Sequence, residues 1–198
     1  MQIYSGSRQD LPVGLWQRLL RYRYQVFVRH LGWELAGNLP GQEVDQFDRA
    51  DTLYVVAVRQ DNGSVVGCAR LLPTLKPYLL SEVFPQLLGG LQPPARGDIW
   101  ELSRFAAMDP AVTDSPQGQV SSPYALALVK AAQRCAARRG ATELITVSPV
   151  AIGRLLRVNG IDACRGGPVC QVGSEALCAY RIKTTLTARV TEVRELAQ

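Results

Sequence analysis

Apolar positions Leu15, Leu19, Tyr22 and Val26 recur at helical spacing, with Arg18 and Arg21 on another side, which predicts a surface-packed helix over 15–28. Arg23 and Phe27 are four apart, so they share one face near its C-terminal end, where a cation also suits the helix dipole. Residues 30–51 show no sustained period and carry Gly32, Gly37, Pro40 and Gly41 among charged positions; they read as a long ordered loop, a setting in which function is often found. Two β-rich runs, 52–58 and 65–72, flank Asp61-Asn62-Gly63 and predict a hairpin that makes Arg70 a strand arginine. A short helical piece over 79–88 and a Pro/Gly-rich link over 89–97 precede a strand over 99–106. Ser121-Ser122-Pro123 supplies an N-cap and a first-turn proline for a helix that presents Leu126, Val129, Ala132 and Ala136 inward and stops at Gly140. A β run over 142–148, a helix over 150–158 stopped by Asn159-Gly160, and a strand over 176–185 complete the pattern. This order predicts an α/β fold, a mixed sheet with helices on both faces.

At 198 residues and 47% hydrophobic composition the chain is expected to form one domain, 1–198, with a core that needs neither metal nor disulfide. Its five cysteines are an odd number, include no Cys-x-x-Cys pair and have only His30 as an imidazole companion, so no metal site and a reducing cytoplasmic setting are expected. The N-terminal residues Met1 to Arg8 hold no apolar signal segment, and no run approaches the roughly 18 apolar residues of a membrane span, so no membrane association is expected. A net charge of +5, from 22 basic and 17 acidic residues, favours an acidic partner, whether nucleic acid, anionic lipid or protein. Dispersed arginines and the lack of a readable DNA- or RNA-binding motif argue against nucleic acid. Lys130, Arg134 and Arg138 step by four along one helix, with Arg139 alongside; taken alone, this basic ridge is a solvated face.

Trp100-Glu101-Leu102-Ser103-Arg104-Phe105-Ala106 is too charged and aromatic to be only core. With Arg23, Phe27, Trp33, Asp45, Asp48 and Arg70 it makes a set suited to one small zwitterionic cation with a flat ring: acids in the order Asp-x-x-Asp, strand arginines and two large aromatics. Plainer readings stand beside it, with Phe27 and Trp33 as core aromatics and Glu101 as an ion-pair partner of Arg104. One geometric demand follows. A regular strand places Glu101 and Ser103 on one face and Arg104 on the other, so for Glu101 and Arg104 to face one ligand the strand must bulge or end there.

Those residues, with Val26-Phe27, Leu31-Gly32-Trp33, Glu43-x-Asp45-x-Phe47-Asp48 and Arg70-Leu71-Leu72-Pro73-Thr74, resemble the acyl-homoserine-lactone synthases, the autoinducer synthases of bacterial quorum sensing, over most of the first two thirds of the chain. The last third is similar only in outline. The resemblance implies a GNAT-like three-layer α/β/α sandwich around a mixed, V-shaped sheet, with an S-adenosylmethionine site in the N-terminal part and an acyl pocket in the C-terminal part. It implies S-adenosylmethionine as cosubstrate, no prosthetic group, and an acyl carrier protein delivering a medium-length acyl chain; the products are an N-acyl-homoserine lactone, 5′-methylthioadenosine and free carrier. Arg23, Phe27, Trp33, Asp45, Asp48, Arg70 and Arg104 would hold the cosubstrate. Glu101, with Asp45 as the alternative, would take the amine proton, and Arg104 would complete the catalytic set. Ser103, Thr146 and Ser148 would meet the first acyl carbons, and Leu102, Phe105, Met108, Leu126, Val147, Leu155 and Leu156 would line the tunnel.

In GNAT enzymes a Gln/Arg-x-x-Gly-x-Gly/Ala turn grips the pyrophosphate of coenzyme A; Gln117-Gly118-Gln119-Val120-Ser121-Ser122 does not supply it, which favours a carrier protein as donor. Such a carrier is acidic, so Lys130, Arg134, Arg138 and Arg139, extended by Arg154 and Arg157, gain a docking reading. Competing readings are an acyl-CoA-dependent GNAT-type N-acyltransferase and a non-catalytic module that binds S-adenosylmethionine or the carrier.

Overall fold

The computed structural model describes residues 1–34, 39–110 and 124–184. Seven strands, β1 (Gln2–Gly6), β2 (Leu53–Val58), β3 (Val65–Pro73), β4 (Ile99–Ala106), β5 (Glu143–Pro149), β6 (Ala163–Val172) and β7 (Glu175–Lys183), form one sheet in the order β1-β2-β3-β4-β5-β7-β6. Every neighbour pair is antiparallel except β4 with β5. All six residues of β2 are buried because helices cover both sides of the sheet there. On one face, Val55, Ala69, Leu71, Leu102 and Leu144 pack against Leu128, Ala132 and Ala136 of α3 (Tyr124–Ala137) and Leu156 of α4 (Val150–Val158). On the other, Tyr54, Val56 and Cys68 meet Leu15, Leu19 and Tyr22 of α1 (Leu15–Arg23). Further along that face, Leu72 and Ile145 meet Leu80 of α2 (Leu79–Glu82) and Leu87 and Leu88 of a 3-10 turn, Pro85–Leu88. The result is the three-layer α/β/α sandwich.

The structure departs from the sequence pattern in three places. The first helix is α-helical only to Arg23 and continues as a π-helix, Tyr24–His30. Its wider turn is closed by the amides of Leu31 and Trp33, which donate to the carbonyls of Val26 and Phe27, both at 2.9 Å, and this folds Trp33 back over Phe27. β1 is a five-residue edge strand with one buried residue, too short and too polar to show an alternation. β6 is hidden by Gly166-Gly167-Pro168; a Cβ on Gly167 would lie 2.0 Å from the carbonyl oxygen of Leu87, so only glycine lets this strand pass the 3-10 turn. The proposed N-cap Ser121-Ser122-Pro123 and the stretch 117–122 lie outside the described residues. Among the described residues no helix is long and apolar enough to cross a membrane.

Two irregularities meet on β4. The register with β3 pairs Arg70 with Ser103 but Cys68 with Ala106, so β4 holds one extra residue: a bulge, one of the two ways in which Glu101 and Arg104 could share a face. Arg104 sits in it at φ 49°, the one non-glycine residue at positive φ among those described. The parallel ladder to β5 covers only Ile99–Glu101 against Glu143–Ile145. Past Glu101 the two strands part, and the sheet opens into a V.

Candidate active site

The bulge decides which way the β4 side chains point. Leu102 faces α3 and Ser103 the opposite side; a regular strand would send Arg104 back toward α3. Instead Arg104 joins Ser103 on the side of α1 and the 31–51 loop. From there the alternation is reversed, with Phe105 and Ala107 packing on the α3 side and Ala106 and Met108 on the α1 side. The reversal corrects the reading of Met108 as a tunnel residue. It is buried beside Tyr22, whose hydroxyl donates to its carbonyl at 3.0 Å, and it does not line the cavity described below.

Three guanidinium groups and three carboxylates interlock at the bulge. Arg104 donates from Nε to Glu43 Oε1 at 3.2 Å and from Nη2 to Asp45 Oδ2 at 2.7 Å. Arg70 donates from Nη1 to Asp45 Oδ1 at 2.6 Å and Asp48 Oδ1 at 3.2 Å, and from Nε to Ser103 Oγ at 3.1 Å. Arg23 donates from Nε to Glu43 Oε2 at 2.5 Å and grips both oxygens of Asp48, at 2.8 and 2.9 Å. The Tyr54 hydroxyl adds a bond to Asp48 at 2.9 Å. Burial alone would push the Asp48 carboxyl up, but Arg23 and Arg70 outweigh it and hold it well below the usual carboxylate range. Glu43, fully buried, joins Arg23 to Arg104. The sequence reading quoted it within a motif and gave it no role. The signal was an acid two residues before Asp45 in a loop facing three arginines.

A cavity of about 1250 Å³ opens where β4 and β5 part. On the α1 side its wall includes Trp33, Asp45, Ser103 and Arg104; on the α3 side it includes Leu102, Phe105, Leu126, Thr146, Leu155 and Leu156, with Val147 and Ser148 on the β5 arm. Arg23, Phe27, Asp48 and Arg70 do not line it. They stand behind the wall, with Arg23 and Arg70 each 1% exposed and Phe27 fully buried. Phe27 stacks on Trp33 at 4.8 Å between ring centroids, and the Arg104 guanidinium lies over both rings at 5.7 and 5.6 Å. These four residues therefore fix the positions of Trp33, Asp45 and Arg104.

Glu101 lines the cavity at the fork of the V, 1% exposed. It does not pair with Arg104. Its two oxygens accept the main-chain N–H groups of Leu79 and Leu80, at 3.0 and 2.7 Å. Burial raises its pKa from 4.5 to about 7, against the downward pull of those amides and of Arg70 and Arg104. Near neutrality such a carboxylate can accept a proton and hand it on.

Exposed Lys130 and Arg134 lie on α3 and exposed Arg138 in the turn that follows it, exposed Arg154 and Arg157 lie on α4, and the two helices cover the same face of the sheet. None of the five has an ion-pair partner among the described residues. Arg139 departs from this ridge and lines a separate small cavity with Lys76 and Trp100.

Two stability predictions follow. Arg23→Ala leaves Glu43 and Asp48 buried with one cation fewer and should cost about 3–5 kcal/mol, read as a lower urea midpoint. The pH dependence should peak between the ranges of two carboxyls. Asp48, held below its ordinary 3.8, stabilises the fold above that value and loses this contribution as the pH falls. Glu101 is protonated in both states at low pH; between 4.5 and about 7 the folded state holds the proton and the unfolded state does not, so stability declines with rising pH. The decline should reach roughly 3 kcal/mol and be absent in Glu101→Gln, as followed by denaturant unfolding across pH.

Comparison with known proteins agrees with this arrangement. A family model described as autoinducer synthase matches residues 13–188. The chain is 48% identical over 186 residues to an acyl-homoserine-lactone synthase of Acinetobacter nosocomialis, covering 92% of this chain and 99% of that one. It is similar to the structure of a CoA-dependent acyl-homoserine lactone synthase, BjaI, with SAM and isopentyl-CoA, at 27% identity and a TM-score of 0.80, covering 93% of this chain and 83% of that one. In fold alone it resembles a Lactobacillus plantarum protein described as an N-acetyltransferase, at 15% identity and a TM-score of 0.56, covering 93% and 98% of the two chains.

Proposed function

The chain belongs to the autoinducer synthase family and is an acyltransferase, and from that premise we propose that it acylates the α-amine of S-adenosylmethionine from an acyl-carrier-protein thioester and closes the product to a homoserine lactone. The observation that carries the proposal is the bulge at Arg104 beside the parting of β4 and β5, which sets Glu101, Asp45 and Arg104 around one cavity. The cosubstrate is read onto the α1-side wall, with Asp45 toward the ammonium, Arg104 toward the carboxylate, and the ring of Trp33 over the sulfonium or the adenine. Arg23, Phe27, Asp48, Arg70 and Glu43 hold that wall from behind.

The amine must be neutral to attack the thioester carbonyl. Glu101 takes its proton, directly or through one water, and the new amide bond forms as the carrier thiol departs with a proton. The ladder to β5 stops at Glu101, so main-chain N–H groups of the next β4 residues that would have faced β5 are released to receive the oxyanion of the tetrahedral intermediate. Lactonisation is intramolecular: the carboxylate oxygen attacks the carbon beside the sulfonium, that carbon–sulfur bond breaks, and methylthioadenosine leaves with the electron pair. Holding a folded conformer is the main requirement. The acyl chain is read onto Leu102, Phe105, Leu126, Val147 and Leu155, with Ser103, Thr146 and Ser148 near its first carbons. The whole chain, 1–198, is taken as a single cytoplasmic synthase domain making a quorum-sensing signal.

BjaI is a CoA-dependent relative, so the donor needs its own argument. The unpaired basic ridge across α3 and α4 favours an acidic carrier protein. Arg154→Glu with Arg157→Glu should raise the KM for acyl carrier protein on the order of tenfold at low salt, less at high salt, and leave the KM for S-adenosylmethionine unchanged. Turnover that prefers acyl-CoA, or a carrier KM indifferent to salt and to these substitutions, would contradict the carrier reading.

A further inference from the structure

We propose that Gly153 and Tyr180, neither of which lines the cavity, set the acyl-chain preference by fixing how closely α4 approaches the sheet; the inference rests on the acyl-transfer reading above. α4 supplies Ile152, Leu155 and Leu156 to the cavity wall, and its two buried residues are Gly153 and Leu156. Beneath Gly153 lies Tyr180 of β7, 1% exposed and directly opposite Thr146 of β5, which itself lines the cavity. A Cβ on Gly153 would stand 2.2 Å from Tyr180 Cε1, 2.5 Å from Cζ and 2.6 Å from the hydroxyl oxygen. The same hydroxyl donates to the carbonyl of Val150, at 3.0 Å, in the first turn of α4.

The helix is thus seated on the tyrosine ring through a residue without a side chain and tied to it by one hydrogen bond. No other residue at 153 permits this distance. The ring is itself buried, 1% exposed, and its hydroxyl is held at the Val150 carbonyl, so turning it aside costs that bond and its packing. A larger residue at 153 must lift α4, and Ile152, Leu155 and Leu156 rise with it. The acyl compartment widens on its α3-side wall, while Glu101, Asp45, Ser103 and Arg104, which sit on β4 and the 31–51 loop, keep their places. Gly153 and Tyr180 are therefore positioning residues for chain selection, remote from the reacting atoms.

The test measures kcat/KM over a ladder of straight-chain acyl-carrier thioesters for the parent, Gly153→Ala, Tyr180→Phe and Gly153→Ala with Tyr180→Leu. Gly153→Ala should shift the ratio of long- to short-chain efficiencies toward longer chains by roughly tenfold, the scale of discrimination that a methylene carries in an apolar pocket. Its KM for S-adenosylmethionine should not change. Tyr180→Phe, which keeps the ring and loses the tether, should broaden the preference in the same direction by a smaller factor. The double variant, in which leucine leaves room for the new methyl group, should return the ratio to within a few-fold of the parent. A uniform loss on every thioester, an unchanged ratio, or a double variant that behaves as Gly153→Ala would each overturn the proposal. Hydrogen exchange of the amides of 150–158 reads the seating of α4 without turnover. Exchange in Gly153→Ala should be at least tenfold faster than in the parent, and unaltered protection overturns the proposal even if the parent consumes no thioester, a result that would count separately against the donor assignment.

Discussion

Glu101→Gln lowers kcat by about 10²–10⁴-fold, the range expected for removing a positioned general base, and leaves the KM for S-adenosylmethionine within a few-fold. Glutamine fills the same volume at the fork of the V and can still accept one of the two main-chain N–H bonds from Leu79 and Leu80, so the cavity should keep its shape. What it cannot do is take the proton of the attacking amine. In the parent, kcat/KM should rise with pH through about 7 as Glu101 ionises. The amine of the substrate titrates too, but its limb belongs to both enzymes; only the limb near 7 should vanish in the variant. Stopped turnover with retained binding also separates an enzyme from a binding module built on the same residues. Equal activity in the variant would move the base to Asp45, the cavity-wall carboxylate held by Arg70 and Arg104.

Arg104→Ala should act on binding, raising the KM for S-adenosylmethionine on the order of 10²-fold or more, the cost of truncating one partner in a buried, hydrogen-bonded charge set. Arg104 bonds Glu43 and Asp45 at once and lies over Phe27 and Trp33, so its loss leaves Asp45 to Arg70 alone and Trp33 to its stacking on Phe27. Lysine at the same position keeps the charge but not the planar fork, so Arg104→Lys should recover only a small part of the affinity. Isothermal titration with S-adenosylmethionine separates this from a folding defect, provided that near-ultraviolet circular dichroism shows the variant folded. An unchanged affinity in a folded Arg104→Ala protein would remove Arg104 from the cosubstrate site.

Much of this arrangement could be read from the chain because separate signals agreed. The Asp61-Asn62-Gly63 turn, the apolar runs beside it and the helical spacing from Leu15 onward gave β2, β3 and α1, since the two strands are continuous apolar runs buried on both faces and the helix buries one periodic face. The bulge followed from a contradiction: Glu101 and Arg104 cannot share a face on a regular strand, yet the chemistry wants both. Its consequence downstream was harder to see. A one-residue insertion exchanges the faces of everything after it, and Met108 passed from the acyl side to the α1 core for that reason. The π-helix left no trace in the pattern, because Arg23 and Phe27 lie on one side in either helix type. Glu43 was hidden by its partners: a buried acid in a loop reads as solvent-exposed until three arginines from α1, β3 and β4 are seen to converge on it and its neighbours. β6 was invisible for a packing reason, since the 3-10 turn that crosses it demands glycine where a strand would show an apolar residue.

The most direct test of the central claim is mass spectrometry of the purified protein incubated with S-adenosylmethionine and a ladder of acyl-carrier-protein thioesters, following methylthioadenosine and N-acyl-homoserine lactones together. The account predicts that both appear in equal amounts, with a maximum at one chain length. Methylthioadenosine without lactone, or neither product with any thioester, would contradict it.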